Sequence, residues 1–297
     1  MQELRLDRPL VLDGGLATEL EAMGHELADA LWSARLLADA PEEIVAAHAA
    51  FYRAGADIAT TASYQASFEG FAERGLDRAG AARLMHRSVE LARLAGEVEP
   101  GEHRWVAASV GPYGATLADG SEYRGDYGLT LQQLREFHVP RLETLAEAGP
   151  DILALETIPD LVEAEVLVEA LSGLGIPAWL SFTVEGDRTR AGQPLSEAFA
   201  LAESEAITAV GINCSDPDDV LPALETARAA TEKPLVAYPN SGEGWDSEHH
   251  AWTGDPRLSP RQARRWREAG ALLVGGCCRV RPEDITAVAE ALLDPES

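Results

Sequence analysis

The sequence predicts an α/β fold, a single (β/α)8 barrel over residues 1–297 with its active site at the C-terminal ends of the strands. Eight short apolar runs with β-like composition alternate with amphipathic helical stretches, and no linker, repeat or low-complexity block interrupts them. Eight strands favour a closed barrel over an open sheet, because an open sheet usually has fewer strands and a phosphate-binding glycine turn. The predicted strands are Leu10–Gly14, Asp57–Ser63, Trp105–Val110, Ile152–Thr157, Ala178–Val184, Ile207–Cys214, Leu235–Tyr238 and Ala271–Gly275.

Proline and glycine mark the ends of several predicted helices. Pro41, Pro217 and Pro260 stand where a first helical turn would begin, a position that proline's fixed φ suits. Gly55 and Gly270 fall just before a strand, where a helix C-cap is expected. The pattern therefore predicts helices that lead into the strands through short turns, as a barrel requires.

Charge and length restrict the partners. The chain has 24 basic and 50 acidic residues, a net charge of −26, which repels nucleic acid phosphates and anionic membranes. No apolar run approaches the roughly 18 residues of a membrane span, and the N-terminus lacks the basic-then-apolar layout of a signal peptide. We therefore expect a cytoplasmic protein with no nucleic acid or membrane partner; the sequence leaves its oligomeric state open.

Polar residues at the strand ends are the candidates for binding substrate. Asp13 and Gly14 follow strand one, although a helix-capping turn explains them equally well. Glu156 ends the apolar run Ile152–Leu155, where a carboxylate needs a partner, and this favours a functional role. Thr61 ends strand two beside Thr60; both suit a strand, but only one of them can point inward.

The chain has three cysteines, all at the ends of two apolar runs. Cys214 ends strand six, and Cys277 and Cys278 follow strand eight. If these strands share one rim, the thiols form a tri-thiolate zinc centre with an open fourth position. Two alternatives remain: Cys214 as a packed small apolar residue, and a disulfide between Cys277 and Cys278.

Seven strings together resemble the zinc-dependent homocysteine S-methyltransferase family, over about residues 10 to 290. They are Leu12–Thr18, Thr61–Ser67, Gly111–Gly114, Leu155–Pro159, Gly211–Cys214, Tyr238–Gly242 and Gly275–Arg279. The stretch Leu117–Tyr127 is similar to the short, cobalamin-independent branch that uses S-methylmethionine or S-adenosylmethionine as methyl donor.

The resemblance implies that the enzyme moves a methyl group from a sulfonium donor to the zinc-bound thiolate of homocysteine, forming methionine. One zinc per chain would be held by the catalytic cysteines Cys214, Cys277 and Cys278. Homocysteine would be bound by Asp13, Gly14, Thr61 and Glu156, with the carboxylates meeting its ammonium group.

Three alternatives remain open at this point. One is a methyltransferase of the same fold acting on selenocysteine or selenohomocysteine. Another is a barrel whose zinc is structural and non-catalytic. The third is a zinc-free hydrolase or lyase that uses Asp13 and Glu156 as an acid–base pair.

Two further groups of residues lie near the predicted mouth. Five aromatic residues are candidates for cation–π contact with a sulfonium, although packing explains each of them as well: Tyr64, Tyr113, Tyr127, Tyr238 and Trp245. His249 and His250 lie in a polar stretch that we interpret as a solvated lid rather than a second metal site.

Overall fold

A computed structural model describes residues 4–25, 32–99, 101, 104–246 and 251–293; for 32–35, 245, 246, 251 and 252 it describes the backbone alone. Its centre is a sheet of eight parallel strands, which confirms the predicted barrel. The strands are β1 Leu10–Val11, β2 Ile58–Thr60, β3 Trp105–Val110, β4 Ile152–Ile158, β5 Ala178–Phe182, β6 Ile207–Asn213, β7 Leu235–Tyr238 and β8 Ala271–Val274.

The strand order closes the sheet on itself. Hydrogen-bonded neighbours run from β2 in sequence order to β8, and β8 pairs in parallel with β1. A parallel bridge between Leu12 and Ile58 then joins β1 to β2. Because all strands run in the same direction, their C-terminal ends form one rim.

All eight predicted strands are present, and the differences lie at their ends. β3 and β7 have the predicted bounds, whereas β1 and β2 are shorter. β1 stops early because Asp13 turns its side chain to accept hydrogen bonds from Thr60, at the end of β2. The first two strands therefore end at Val11 and Thr60, three residues before the predicted ends Gly14 and Ser63.

Helices and short 3₁₀ turns connect the strands. The helices are α1 Leu16–Ala22, α2 Trp32–Asp39, α3 Pro41–Arg53, α4 Phe68–Glu73, α5 Arg78–Val98, α6 Leu131–Glu147, α7 Leu161–Ala170, α8 Leu195–Phe199, α9 Pro217–Ala230, α10 Pro260–Glu268 and α11 Pro282–Leu293. α3, α9 and α10 begin at the predicted prolines, and Gly55 and Gly270 have φ of +106° and +102°. None of the described helices combines the length and apolarity needed to cross a membrane.

Alternation along the strands separates two apolar layers. In β3, Trp105 and Ala107 belong to the cluster inside the barrel, whereas Val106 and Ala108 pack outward against helices. Trp179 fills much of the interior and is fully buried. The interior is therefore a packed core, and ligands can reach only its ends.

Burial of His48, on α3, predicts that the protein loses stability in acid. Neither ring nitrogen has a hydrogen-bond partner among the described residues, and burial lowers the pKa of His48 from 6.5 to about 4. A lowered histidine pKa means that the unfolded chain binds the proton more readily. The contribution of neutral His48 to the free energy of unfolding is therefore fully present above pH 6.5 and is lost as the pH falls towards 4.

Between pH 7 and pH 5 the unfolding free energy of the wild type should fall, and we expect this fall to be about 2 kcal/mol smaller in His48→Leu. Urea denaturation of both proteins at the two pH values measures it. Equal losses in wild type and variant would show that His48 does not cause the acid sensitivity.

Candidate active site

Three sulfur atoms meet at the C-terminal rim of the barrel. The Sγ atoms of Cys214, Cys277 and Cys278 all lie within 4.8 Å of one another, and those of Cys214 and Cys278 are 3.6 Å apart. The three cysteines are free thiols. Tetrahedral zinc with Zn–S bonds of about 2.3 Å requires S···S separations of about 3.8 Å. The cluster therefore fits a thiolate-bound metal ion.

A strained backbone aims Cys214 at this cluster. Its φ is +49°, in the left-handed region that costs a non-glycine residue about 1–3 kcal/mol. The preceding residue, Asn213, is fully buried and exchanges two hydrogen bonds with Thr157: its Nδ2 donates to Thr157 Oγ1, and Thr157 N donates to its Oδ1, both at 2.7 Å. Thr157 is itself left-handed, with φ of +60°. This reciprocal pair holds the ends of β4 and β6 in register.

Glycines let the loop after β8 approach its neighbours closely. A Cβ on Gly276 would lie 2.2 Å from Val280 Cγ1, and one on Gly14 would lie 2.5 Å from the Val280 carbonyl oxygen. Neither position has room for a side chain, although the φ of neither is positive. Gly14 and Gly276 thus allow close packing, which brings the adjacent cysteines Cys277 and Cys278 over the mouth of the barrel.

Tyr123 extends the sulfur cluster. Its hydroxyl lies 3.0 Å from Cys214 Sγ. Hydrogen bonds from Cys214 and then Cys277, with a further one from Tyr123, hold the pKa of the Cys278 thiol well below its usual value. The cluster is therefore disposed to carry a thiolate, which is the form that binds metals.

Glu156 lies in the same mouth and is held by two donors. Ser109 Oγ donates to its Oε1, and Tyr238 Oη donates to its Oε2 at 3.0 Å. Trp179 Nε1 in turn donates to Tyr238 Oη at 2.9 Å. Burial raises the pKa of Glu156 to about 7, against the lowering effect of these hydrogen bonds. These two donors hold the carboxylate in place. They are the partners that a carboxylate at the end of an apolar strand needs.

Asp13 and the two threonines divide the adjacent part of the rim. Both carboxylate oxygens of Asp13 accept hydrogen bonds from Thr60, and burial raises the pKa of Asp13 to about 8. Thr61 Oγ1 accepts a hydrogen bond from Ser109 N at 3.0 Å and shares another with Ser63 Oγ at 2.7 Å. Thr61 lines the cavity, whereas Asp13 lies behind Thr60.

These groups line one cavity of about 250 Å³. Its walls include the three cysteines, Gly14, Thr61, Glu156, Ser109, Gln65, Glu122 and Tyr123. A larger hollow of about 550 Å³ lies at the opposite rim, beside Ile152, Ile207 and Lys233, and has no thiol. We place the candidate site at the first cavity, because barrel enzymes bind ligands at the C-terminal rim and the reactive groups converge there.

The structure separates the five candidate aromatic residues. Tyr64 and Tyr238 line the cavity. Tyr113 and Tyr127 instead pack together, with ring centroids 5.3 Å apart, and Tyr127 Oη donates to Glu163 at 3.3 Å. Packing is therefore the better explanation for this second pair. The side chain of Trp245, and the predicted lid residues His249 and His250, lie outside the described residues.

The cavity lining includes polar residues that were not among the predicted site residues, and Ser109, Gln65, Glu122 and Tyr123 belong to them. Ser109 had a usable signal, since it is the polar residue in the inward register of β3, two positions after Ala107. Glu122 and Tyr123 fall in the stretch that resembles the cobalamin-independent branch. Nothing in their spacing indicated that this loop folds back over the thiols.

The family is decided by comparison with known sequences. A sequence profile described as homocysteine S-methyltransferase matches residues 10–292. The chain belongs to the homocysteine S-methyltransferase family. It is 47% identical to homocysteine S-methyltransferase of Escherichia coli, over 94% of each chain. It is also 46% identical to homocysteine S-methyltransferase 4 of Zea mays, over 96% of this chain and 90% of the maize protein.

Solved structures of this family share the fold. The metallated form of the E. coli homocysteine methyltransferase MmuM superposes with a TM-score of 0.87 at 45% identity, covering 96% of each chain. The oxidised form of the same enzyme gives a TM-score of 0.85 at 46% identity, covering 95% of each chain. The first of these E. coli structures is a metallated form, and in this chain the three-cysteine cluster is the group of described residues that could hold a metal ion.

The pairing between Asn213 and Thr157 leads to a test of metal affinity. Asn213→Ala removes both hydrogen bonds that hold the residue before Cys214, and we expect about 10- to 100-fold weaker zinc binding, as for other groups that orient metal ligands. Competition with a fluorescent zinc chelator measures it. Asn213→Asp is the control, because its carboxylate can still accept from both Thr157 N and the Thr157 hydroxyl. Wild-type affinity in Asn213→Ala would contradict the orienting role.

Proposed function

We propose that this protein is a zinc-dependent methyltransferase with a single homocysteine-binding barrel, transferring a methyl group from a sulfonium donor to homocysteine to form methionine. The observation that carries the proposal is one small cavity lined both by three clustered thiols and by a buried, pre-positioned carboxylate. Thiols suit activation of another sulfur atom, and a carboxylate suits an amino acid's ammonium group.

Cys214, Cys277 and Cys278 would hold the zinc ion. When bound, zinc supplies Lewis-acid chemistry that lowers the pKa of the homocysteine thiol, so that thiolate is available near neutral pH. The three cysteines line the cavity, and no fourth cysteine, histidine or carboxylate joins their group among the described residues. This arrangement favours a catalytic site with an open position over a closed structural one.

Glu156 would bind the ammonium group of homocysteine. Ser109 and Tyr238 donate to one oxygen each and leave further lone pairs free to accept. A cationic partner offsets the cost of burying this carboxylate and lowers its pKa below the value of about 7 that burial gives it. Thr61 and Gly14 line the same wall, and we assign them to the homocysteine side of the cavity. Asp13 would act from behind Thr60.

Methyl transfer needs no general base on the protein. The homocysteine thiol first releases its proton to solvent. Its sulfur then forms a bond to the methyl carbon as the bond between that carbon and the donor sulfur breaks, and the bonding electron pair stays on the donor sulfur. Thiolate and sulfonium charges cancel during this step, so a cavity that excludes water favours it. The protein's contribution is to align and enclose the two sulfur atoms.

Replacing Cys214 by serine tests the metal assignment. We expect Cys214→Ser to retain much less than one zinc per chain after dialysis and to lose methyl transfer, because a neutral hydroxyl is a poor replacement for a thiolate ligand. Metal analysis of reduced protein and methionine formation from homocysteine measure the two effects. Full zinc content together with full activity would reject the assignment.

Replacing Glu156 by glutamine tests the acceptor side. We expect Glu156→Gln to raise the KM for homocysteine by about 10- to 100-fold, the usual effect of losing a hydrogen bond between charged groups, while the donor KM changes little. Steady-state kinetics with each substrate varied in turn measures this. Glu156→Asp is the control that keeps the charge. An unchanged homocysteine KM in Glu156→Gln would remove Glu156 from this role.

A further inference from the structure

Two residues that line the cavity each carry a buried oxygen atom with no hydrogen-bond partner among the described residues. One is Gln65 Oε1, on a side chain that is only 7% exposed. Its amide Nε2 donates to the Ala115 carbonyl oxygen at 3.0 Å, and this bond fixes the orientation of the amide group, with Nε2 rather than Oε1 towards Ala115. The other is Glu122 Oε2, which is buried and forms no ion pair with any described cation. Both residues line the wall that also contains the thiols.

The loop after β3 holds Glu122 firmly at this wall. Asp119 Oδ1 accepts a hydrogen bond from Ser121 N at 3.0 Å, and a Cβ on Gly114 would lie 2.7 Å from Glu122 N. The next residue, Tyr123, contacts Cys214 Sγ. Glu122 therefore lies one residue from a direct contact to the sulfur cluster, and its backbone packs closely against Gly114.

The chemistry of these atoms defines what they can bind. An amide oxygen and a carboxylate oxygen only accept hydrogen bonds, and leaving them buried without a donor costs about 1–3 kcal/mol each. A ligand that satisfies both must bring N–H groups or positive charge. Burial is the main cause that raises the pKa of Glu122, as expected for a carboxylate without a cation beside it.

The homocysteine ammonium already has a partner elsewhere in the cavity. Glu156 belongs to β4 and is held from below by Tyr238 and Trp179 inside the barrel. Glu122 belongs to the loop that covers the rim, so the two carboxylates approach from different elements. The proposed reaction has a second amino-acid substrate, and it is cationic: both S-methylmethionine and S-adenosylmethionine carry an α-ammonium group and a sulfonium.

We infer that Glu122 and the Gln65 side-chain oxygen bind the α-ammonium group of the methyl donor, and so place its sulfonium beside the cysteine cluster. This inference rests on the proposed function and adds to it the residues that recognise the second substrate. Glu122 and Gln65 come from the loops after β3 and β2, whereas the metal and homocysteine groups come mainly from strand ends.

The test uses the full-length, zinc-loaded protein and the variant Glu122→Gln, which keeps the shape of the side chain and removes its charge. With S-methylmethionine and S-adenosylmethionine assayed separately, we expect the KM of whichever donor the wild type uses to rise about 10- to 100-fold, and the homocysteine KM to stay within about twofold. The control is Glu21→Gln. Glu21 is an exposed carboxylate that does not line the cavity.

A donor without the amine separates the ammonium from the sulfonium. With dimethyl(3-carboxypropyl)sulfonium, wild type and Glu122→Gln should have equally poor KM values. A rise in the homocysteine KM instead of the donor KM, or equal donor KM values in wild type and variant, would overturn the inference. A further penalty of Glu122→Gln on the amine-free donor would overturn it as well, because the carboxylate would then act on the sulfonium.

Calorimetric measurement of the binding of each donor to the zinc-loaded protein, without homocysteine, distinguishes a failure of this inference from a failure of the proposed reaction. If wild type binds a donor but forms no methionine, while Glu122→Gln loses that binding, the inference stands and the proposed reaction fails. If wild type forms methionine and Glu122→Gln binds donor equally well, the reaction stands and the inference fails. Absence of both binding and reaction in wild type would reject both.

Discussion

The convergence of three sulfur atoms, from strands that are not adjacent, is the constraint on which the site depends. β7 separates β6 from β8, yet the Sγ atoms of Cys214 and Cys278 lie 3.6 Å apart. The chain achieves this by leaving regular strand geometry at both points. Cys214 is left-handed, and the loop after β8 packs so closely that Gly276 has no space for a Cβ. Such local strain persists only where the surrounding fold determines it, and here the barrel does so.

Buried hydrogen bonds make the rim rigid before any ligand binds. The Asn213–Thr157 pair fixes the ends of β4 and β6, and the series from Trp179 through Tyr238 to Glu156 fixes the carboxylate. In a cavity that excludes water, groups held in place in this way lose little freedom when substrate arrives. The acceptor oxygens of Gln65 and Glu122 have no partner among the described residues, and this contrast is the reason we infer that they bind a ligand.

Strand ends and loops therefore contribute different parts of the site. The strand ends and the residues directly after them supply Cys214, Glu156 and Thr61, which a barrel positions accurately because its hydrogen-bonded register is fixed, and the loop after β8 adds Cys277 and Cys278. The loop after β3 supplies Tyr123 and Glu122. In barrel enzymes, loops at this rim vary most freely, so we expect recognition of the methyl donor to depend on this loop more than on the strands.

The sequence by itself determined the barrel, the strand ends and the identity of the sulfur and carboxylate groups, because each depends on local patterns. Short apolar runs, helix-starting prolines and a cysteine or glutamate directly after an apolar run can be recognised without coordinates. Tertiary structure alone decided which way Thr60 and Thr61 turn, that Tyr113 and Tyr127 pack against each other, and that Glu122 and Tyr123 reach the thiols. The physical reason is that these contacts join residues 14 to 91 positions apart through loop conformations that no local pattern specifies.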